Sequence, residues 1–212
     1  MDYVFLSDLY ASEKEYLDKE VKVKGWIRNH RPQKEFGFID FSDGTCFKHL
    51  QIVYTNKLSD FDKITKLHNG SSIEVTGVFT HSEGKGQDYE LKANSITLLG
   101  DCAEDFPLQP KKHSMEFLRN IAYLRPRSNT FQAVFRVRSV AAFAIHKYFQ
   151  EKGYIYVHTP LLTTADCEGS DQMFKVTTLD FDNLPKTEDG KVDFSKDLFN
   201  KKTFITGSGQ LH

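Results

Sequence analysis

The stretch VKVKGWIRNHR, residues 21–31, alternates apolar and polar side chains as far as Ile27 and then breaks into basic and amide groups. A period of two is that of a half-buried β-strand, with Trp26 and Arg28 on one side and Val21, Val23 and Ile27 on the other. FGFIDFSDG (36–44) reads as a second strand ending in a Ser-Asp-Gly turn, and FKHLQIVYT (47–55) as a third. LSDFDKITKLHNG (58–70) is helical in pattern, with Asn-Gly as its stop. Two further strands, SSIEVTGVFTHSE (71–83) and GQDYELKANSITLLG (86–100), meet at the turn SEGKGQ.

Three strands, a helix and two strands is the order of the five-stranded Greek-key barrel called the OB-fold. An SH3-like barrel shares the strand count, but the helix between strands three and four favours the OB order. Beyond it, GDCAEDFPLQPKKHSMEFLRNIAYLRPRSN (100–129) carries Pro107, Pro110 and Pro126 between charged pieces and reads as a hinge. NTFQAVFRVRSVAAFAIHKYFQEKG (129–153) is then one long helix, with Asn129 and Gln132 in a capping-box arrangement and Gly153 at its end. Its apolar residues cover more than one stripe, which predicts burial on more than one side, in a core or against a second subunit. YIYVHTPLLTT (154–164) reads as a strand broken by Pro160, followed by QMFKVTTLD, a charged insert and a final strand, TFITGSGQ (203–210).

Bulk properties exclude several classes. Of 212 residues, 39% are apolar and 27% charged, and the formal net charge is −1, so a nucleic-acid role must rest on local placement of basic groups. Cys46, Cys102 and Cys167 are too scattered for a disulfide framework or zinc knuckle, which favours reduced thiols in the cytoplasm. No secretory leader or spanning segment is apparent. No two histidines stand at metal-ligand spacing, and the nucleophile-elbow, P-loop and dinucleotide motifs are lacking.

OB barrels bind single-stranded nucleic acid with aromatic platforms and basic side chains on one face. Phe36 and Phe38 share one side of the second strand, Ile39 and Phe41 the other. One set fills the barrel, and the other leaves a ring outside beside Arg28, His30 and Arg31; Gln51 is placed to read a base edge. A strand Phe is more often core, so both assignments stay open at this level. In the second half, the loop DCEGSDQMF (166–174) holds three acids, which suit either a substrate ammonium group or a solvated turn.

FRVRSVAAFAIHKYFQEKGYIYVHTPLL (135–162) resembles the first motif of class II aminoacyl-tRNA synthetases, the helix and strand that form the dimer interface in that family. With an N-terminal barrel containing GWIRNHR, the resemblance is to the aspartyl/asparaginyl/lysyl subgroup. LRPRSNTF, DCEGSDQMFKVTTLD, SGQL and the insert LPKTEDGKVDFSKDLF are similar to bacterial-type asparaginyl-tRNA synthetases. The implied organisation is an OB-fold anticodon-binding domain over 1–100, a hinge over 101–127, and over 128–212 the first part of an α+β class II catalytic domain, an antiparallel sheet with helices. The resemblance implies that Phe38 stacks on an anticodon base, that Arg28 and Arg31 contact the anticodon, and that Gln51 reads its central uridine. It also implies that Glu168 meets the amino acid's ammonium group, and that Ser208 and Gln210 lie on the pocket floor. The chain has EGSDQMF where the family pattern is EGAGEMF, so Asp171 and Gln172 put the loop contacts other than Glu168 in question.

The implied reaction is the ATP-dependent joining of asparagine to tRNA(Asn) through asparaginyl-adenylate, by a cytoplasmic homodimer formed through the helix over 131–153. ATP and Mg2+ sites are expected beyond residue 212, no residue of this chain is expected to be catalytic, and the chain by itself is expected to be inactive, as a piece cut within the catalytic domain. The rival readings are an aspartyl-tRNA synthetase, a non-catalytic tRNA-binding module, and a structural dimerisation protein built on the long helix.

Overall fold

In the computed structural model, all residues are described except 1, 85, 166–168, 170–172 and 211–212. Packing divides the chain into residues 1–142 and 143–212. The first unit is built on strands β1 (Glu20–Pro32), β2 (Phe36–Ser42), β3 (Leu50–Thr55), β4 (Ser72–His81) and β5 (Tyr89–Gly100). They close in the order β1-β2-β3-β5-β4, with β4 returning to β1. All pairings are antiparallel except β3 with β5, the parallel closure of an OB barrel. The expected barrel is therefore present.

Alternation decides the core. Val21, Val23 and Ile27 of β1, Ile39 and Phe41 of β2, and Leu50, Ile52 and Tyr54 of β3 all point inward and are buried. Each such side chain contributes about 1.5–3 kcal/mol on burial, enough to fix the register, since a one-residue slip would turn the whole set outward. Two short helices that the sequence reading did not anticipate, α1 (Leu6–Ala11) and α2 (Glu13–Tyr16), precede the barrel. Leu6 and Leu9 are completely buried in its core, and the Leu6 amide donates to Asp43 Oδ2 at 2.7 Å. Helices of six and four residues are too short for their own periodicity to show; tertiary contacts hold them.

Other boundaries also move. The helix expected over 58–70 is only α3 (Phe61–Ile64), followed by turns to Gly70 at φ 92°. The third strand begins at Leu50, because 46–49 run as a loop. The expected hinge has a small core of its own, in which Leu108, Leu118 of α4 (Met115–Asn120) and Phe131 pack together.

The long helix is α5 (Asn129–Glu151). Ser128 caps it, not Asn129: the Phe131 amide donates to Ser128 Oγ at 3.4 Å and the Gln132 amide to the Ser128 carbonyl at 2.8 Å. Gly153 ends it at φ 83°, with amides 153 and 154 donating to carbonyls 150 and 149, the paired bonds of a Schellman stop. The expected burial on several sides is not found within the described chain. Phe131 is the buried residue of α5, while Val137, Val140, Phe143 and Ile145 are exposed.

In the second unit, β6 (Leu162–Thr163), β8 (Thr203–Ile205) and β7 (Lys175–Val176) form a small antiparallel sheet with β8 in the middle. The strand expected from residue 154 is absent up to Pro160. Ile155 and Val157 are largely exposed, and this apolar run has no ladder partner among the described residues. The insert is ordered by Asp197, which is buried and accepts from the Thr178 amide at 2.9 Å and the Leu198 amide at 2.7 Å. The Thr177 hydroxyl above all, with the Thr178 amide, holds the Asp197 carboxyl down to about 2.

Gly37 lets β2 lie over the fully buried Tyr54: a Cβ there would stand 2.2 Å from the Tyr54 hydroxyl oxygen. Gly37→Ala is expected to destabilise the barrel by about 1–3 kcal/mol, the usual cost of overpacking, read as a lower urea midpoint.

Candidate nucleic-acid interface

The pairing of β1 with β2 shifts between Ile27 and Asn29, leaving Arg28 as an extra residue in a β-bulge. Before the bulge Ile27 pairs with Phe41, inside the barrel; after it His30 pairs with Ile39 and Arg31 with Phe38. Simple alternation from Trp26 would turn Arg31 inward and His30 outward. The inserted residue exchanges them, so Arg31 lies outside on the same face as Phe38.

That outer face carries the candidate site. Ile39 and Phe41 fill the barrel, and Phe38 is half-exposed beside the exposed Phe36, the two rings meeting edge to face at 5.4 Å. This resolves the choice left open by pattern alone. The Arg31 guanidinium lies 5.4 Å from the centre of the Phe38 ring, and its Nη2 donates to Gln51 Oε1 at 3.2 Å. Cross-strand registers place Val53 beside Phe38, Lys92 beside Val53 and Glu90 beside Gln51. Together these six residues line an open cleft of about 670 Å³. With Gln87 and with Glu83, which pairs with Lys92 at 3.4 Å, they bring an aromatic face, a guanidinium, amides and carboxylates to a surface where a flipped-out base can stack and be read along its edge.

Glu90 and Lys92 were not anticipated. Glu90 is buried, and its Oε2 accepts from Ser82 Oγ at 2.9 Å. Their shared parity in YELKAN was the available signal, but only the parallel closure of β5 on β3 brings them to Gln51.

The other expected residues are placed differently. Arg28, at the bulge, is outside the Phe38 cleft and lies with Trp26 and Arg127. His30 is turned inward: its Nδ1 is 2.9 Å from the Leu67 carbonyl and its Nε2 2.7 Å from the Tyr54 hydroxyl. A carbonyl only accepts, so Nδ1 carries the proton and Nε2 accepts from Tyr54. In the second unit, Glu168 lies outside the described residues. Ser208 is half-buried and Gln210 exposed, just past β8, and the Ser208 amide donates to Thr206 Oγ1 at 3.3 Å. The Gly-Ser-Gly backbone passes close to Thr159, where a Cβ on Gly209 would fall 2.6 Å from the threonine hydroxyl.

The closed five-stranded barrel with its parallel β3–β5 closure is the OB-fold, an architecture that serves nucleic-acid binding. Residues 21–99 match the OB-fold nucleic acid binding domain, and residues 114–211 match the tRNA synthetases class II (D, K and N). The chain thus joins an OB-fold barrel to a segment similar to part of a class II synthetase catalytic domain. The chain is 54% identical over 212 residues to the asparagine–tRNA ligase of Acetivibrio thermocellus, and 50% identical over 212 residues to that of Desulfitobacterium hafniense; each match covers 100% of the chain and 46% of the relative. The chain thus spans about half the length of the curated relatives it matches. Among solved structures, an asparaginyl-tRNA synthetase from Pyrococcus horikoshii complexed with asparaginyl-adenylate superposes with a TM-score of 0.76 at 22% identity, covering 100% of this chain and 44% of that one. A putative aspartyl-tRNA synthetase from Leishmania major gives 0.75 at 18%, covering 99% and 39%. At these identities the likeness is one of fold.

Burial lowers the His30 pKa, with the Leu67 contact opposing it. The unfolded chain, near 6.5, therefore protonates first on acidification. The contribution of neutral His30 is full above about pH 6.5 and is lost as pH falls through its lowered folded value. The urea midpoint is expected to drop between pH 7 and 5, and to drop less in His30→Gln.

Proposed function

We propose that this chain supplies the anticodon grip and part of the amino-acid pocket of an asparagine–tRNA ligase, which joins asparagine to tRNA(Asn) at the expense of ATP. The observation that carries the reading is the Phe38 ring outside the barrel, overlaid by Arg31 and adjoining Gln51. Phe38 stacks on an anticodon base. Gln51 offers its amide to the central uridine, with Arg31 holding its Oε1. Glu90 accepts from base-edge N–H groups, and Lys92 meets the backbone charge. Identity near 50% to asparagine–tRNA ligases over the whole chain favours asparagine over aspartate.

In this reading residues 1–100 are the anticodon-binding domain, 101–127 the hinge and 128–212 part of the catalytic domain. The asparagine carboxylate attacks the α-phosphate of ATP, releasing pyrophosphate and leaving asparaginyl-adenylate, and a hydroxyl of the tRNA's terminal adenosine then takes the aminoacyl group with release of AMP. Ser208 and Gln210 line the amino-acid pocket, and Glu168 faces the ammonium group as a charge-assisted acceptor. Among the described residues, no group of three or more His, Cys, Asp or Glu is placed to hold a metal ion, so no step is assigned to magnesium in this chain. The exposed apolar side of α5 suits a homodimer contact. No helix among the described residues is long and apolar enough to cross a membrane, and the proposed setting is the cytoplasm.

Phe38→Ala is expected to weaken binding of an anticodon stem-loop with a central uridine by about 1–3 kcal/mol, measured by fluorescence anisotropy at fixed salt. Thermal stability should change little. Intact affinity with a lowered melting temperature would make Phe38 a packing residue and end the reading. For the ligase activity, the complete reading frame is expected to charge tRNA with asparagine in preference to aspartate; the reverse preference would reassign it.

A further inference from the structure

The bulge leaves Arg28 in a second cleft, with guanidinium groups from two other segments. Arg127 comes from the turn Arg125–Arg127 and lies 5.1 Å over the Trp26 ring. Arg136 comes from α5, and its Nη2 donates to the Gly44 carbonyl at 2.6 Å, while its Nε is buried without a partner. With Trp26 and Phe135 they wall a cleft of about 430 Å³ that no carboxylate lines among the described residues. None of the three arginines has an ion-pair partner within 4.0 Å among the described residues.

Three cations gathered in a cleft whose described wall holds no carboxylate are costly. Burial foremost lowers the Arg28 pKa, Asp40 on its other side raises it, and Arg127 lowers it again. Asp40 itself is engaged by His49 Nδ1, 3.0 Å from each of its oxygens. Two of the guanidinium groups are held in place, one on an indole face and one on a carbonyl, so little order remains to be imposed when an anion arrives. Guanidinium forks match the oxygens of a phosphate group in direction as well as charge.

We propose that this cleft beneath Trp26 is a phosphate site, in which Arg28, Arg127 and Arg136 take a backbone phosphodiester of the RNA whose bases enter the Phe38 cleft. The assignment to RNA rests on the anticodon reading above. Arg28 stands three residues, roughly 10 Å, along β1 from Arg31, so one RNA loop spans both clefts. The Phe38 cleft reads bases, and the Trp26 cleft fixes the backbone relative to them.

Trp26 is the sole tryptophan and a built-in reporter. Tripolyphosphate is expected to change its fluorescence in the intact chain, and Arg28→Gln or Arg127→Gln to abolish that response while circular dichroism is unchanged. Stem-loop affinity measured against KCl concentration should show a log–log slope shallower by roughly one in each variant, with the slope unaltered in Phe38→Ala. Unchanged slopes in both arginine variants, with RNA still bound, overturn the phosphate site and leave the anticodon reading standing. Silence of Trp26 toward tripolyphosphate likewise overturns it. Absence of stem-loop binding to the intact chain, with the Trp26 response retained, overturns the anticodon reading and the RNA assignment of this site, leaving a site for some other phosphate-bearing ligand.

Discussion

The extra residue at Arg28 is the constraint on which the rest of the outer face depends. A strand presents alternate residues to alternate sides, so an insertion of one exchanges everything beyond it. Here it exchanges Arg31 and His30. Arg31 gains an aromatic ring and an amide partner outside, and His30 is committed to a neutral, doubly bonded place between Tyr54 and the Leu67 carbonyl. The inserted residue itself is left facing the segment that follows the barrel. One local irregularity thereby sorts three basic side chains into the Phe38 cleft, a structural bond and the Trp26 cleft.

The barrel can carry such a face because its inside is so fully specified. Ile39, Phe41, Leu50, Ile52 and Tyr54 are completely buried, and their outward neighbours Phe38, Gln51 and Val53 are held by strands that cannot slip without exposing them. A binding side chain on a strand of this kind loses little freedom when it meets its ligand. The parallel closure of β5 on β3 adds Glu90 and Lys92, so cleft charge is set by long-range pairing rather than by any single segment. This is how a chain of net charge −1 gathers guanidinium groups on one outer face: by placement and not by total charge.

Much of this was legible beforehand. The alternation in VKVKGWI and FGFIDF, and the order of the five strands, lead to the barrel without any coordinates. The ends of α5 were readable to within a residue or two, though the cap is Ser128 because its hydroxyl, rather than the Asn129 carboxamide, reaches the free amide at Phe131. The cluster GWIRNHR and the position of Gln51 pointed to the outer face before the resemblance gave them roles, although strict strand parity would have turned Arg31 inward. Runs such as YIYV failed as strand predictions because β-propensity needs a neighbouring strand, and none is present among the described residues.

By itself the sequence determined which side chains prefer water and which do not, and hence the barrel, the long helix and the aromatic pair at Phe36 and Phe38. Only the tertiary structure decided which basic residues face which cleft, that Leu6 and Leu9 complete the core, and that Glu90 joins Gln51. The physical reason is that hydrophobic period is a property of a few consecutive residues, whereas a bulge, a strand closure and a shared cleft arise from pairing between segments tens of residues apart.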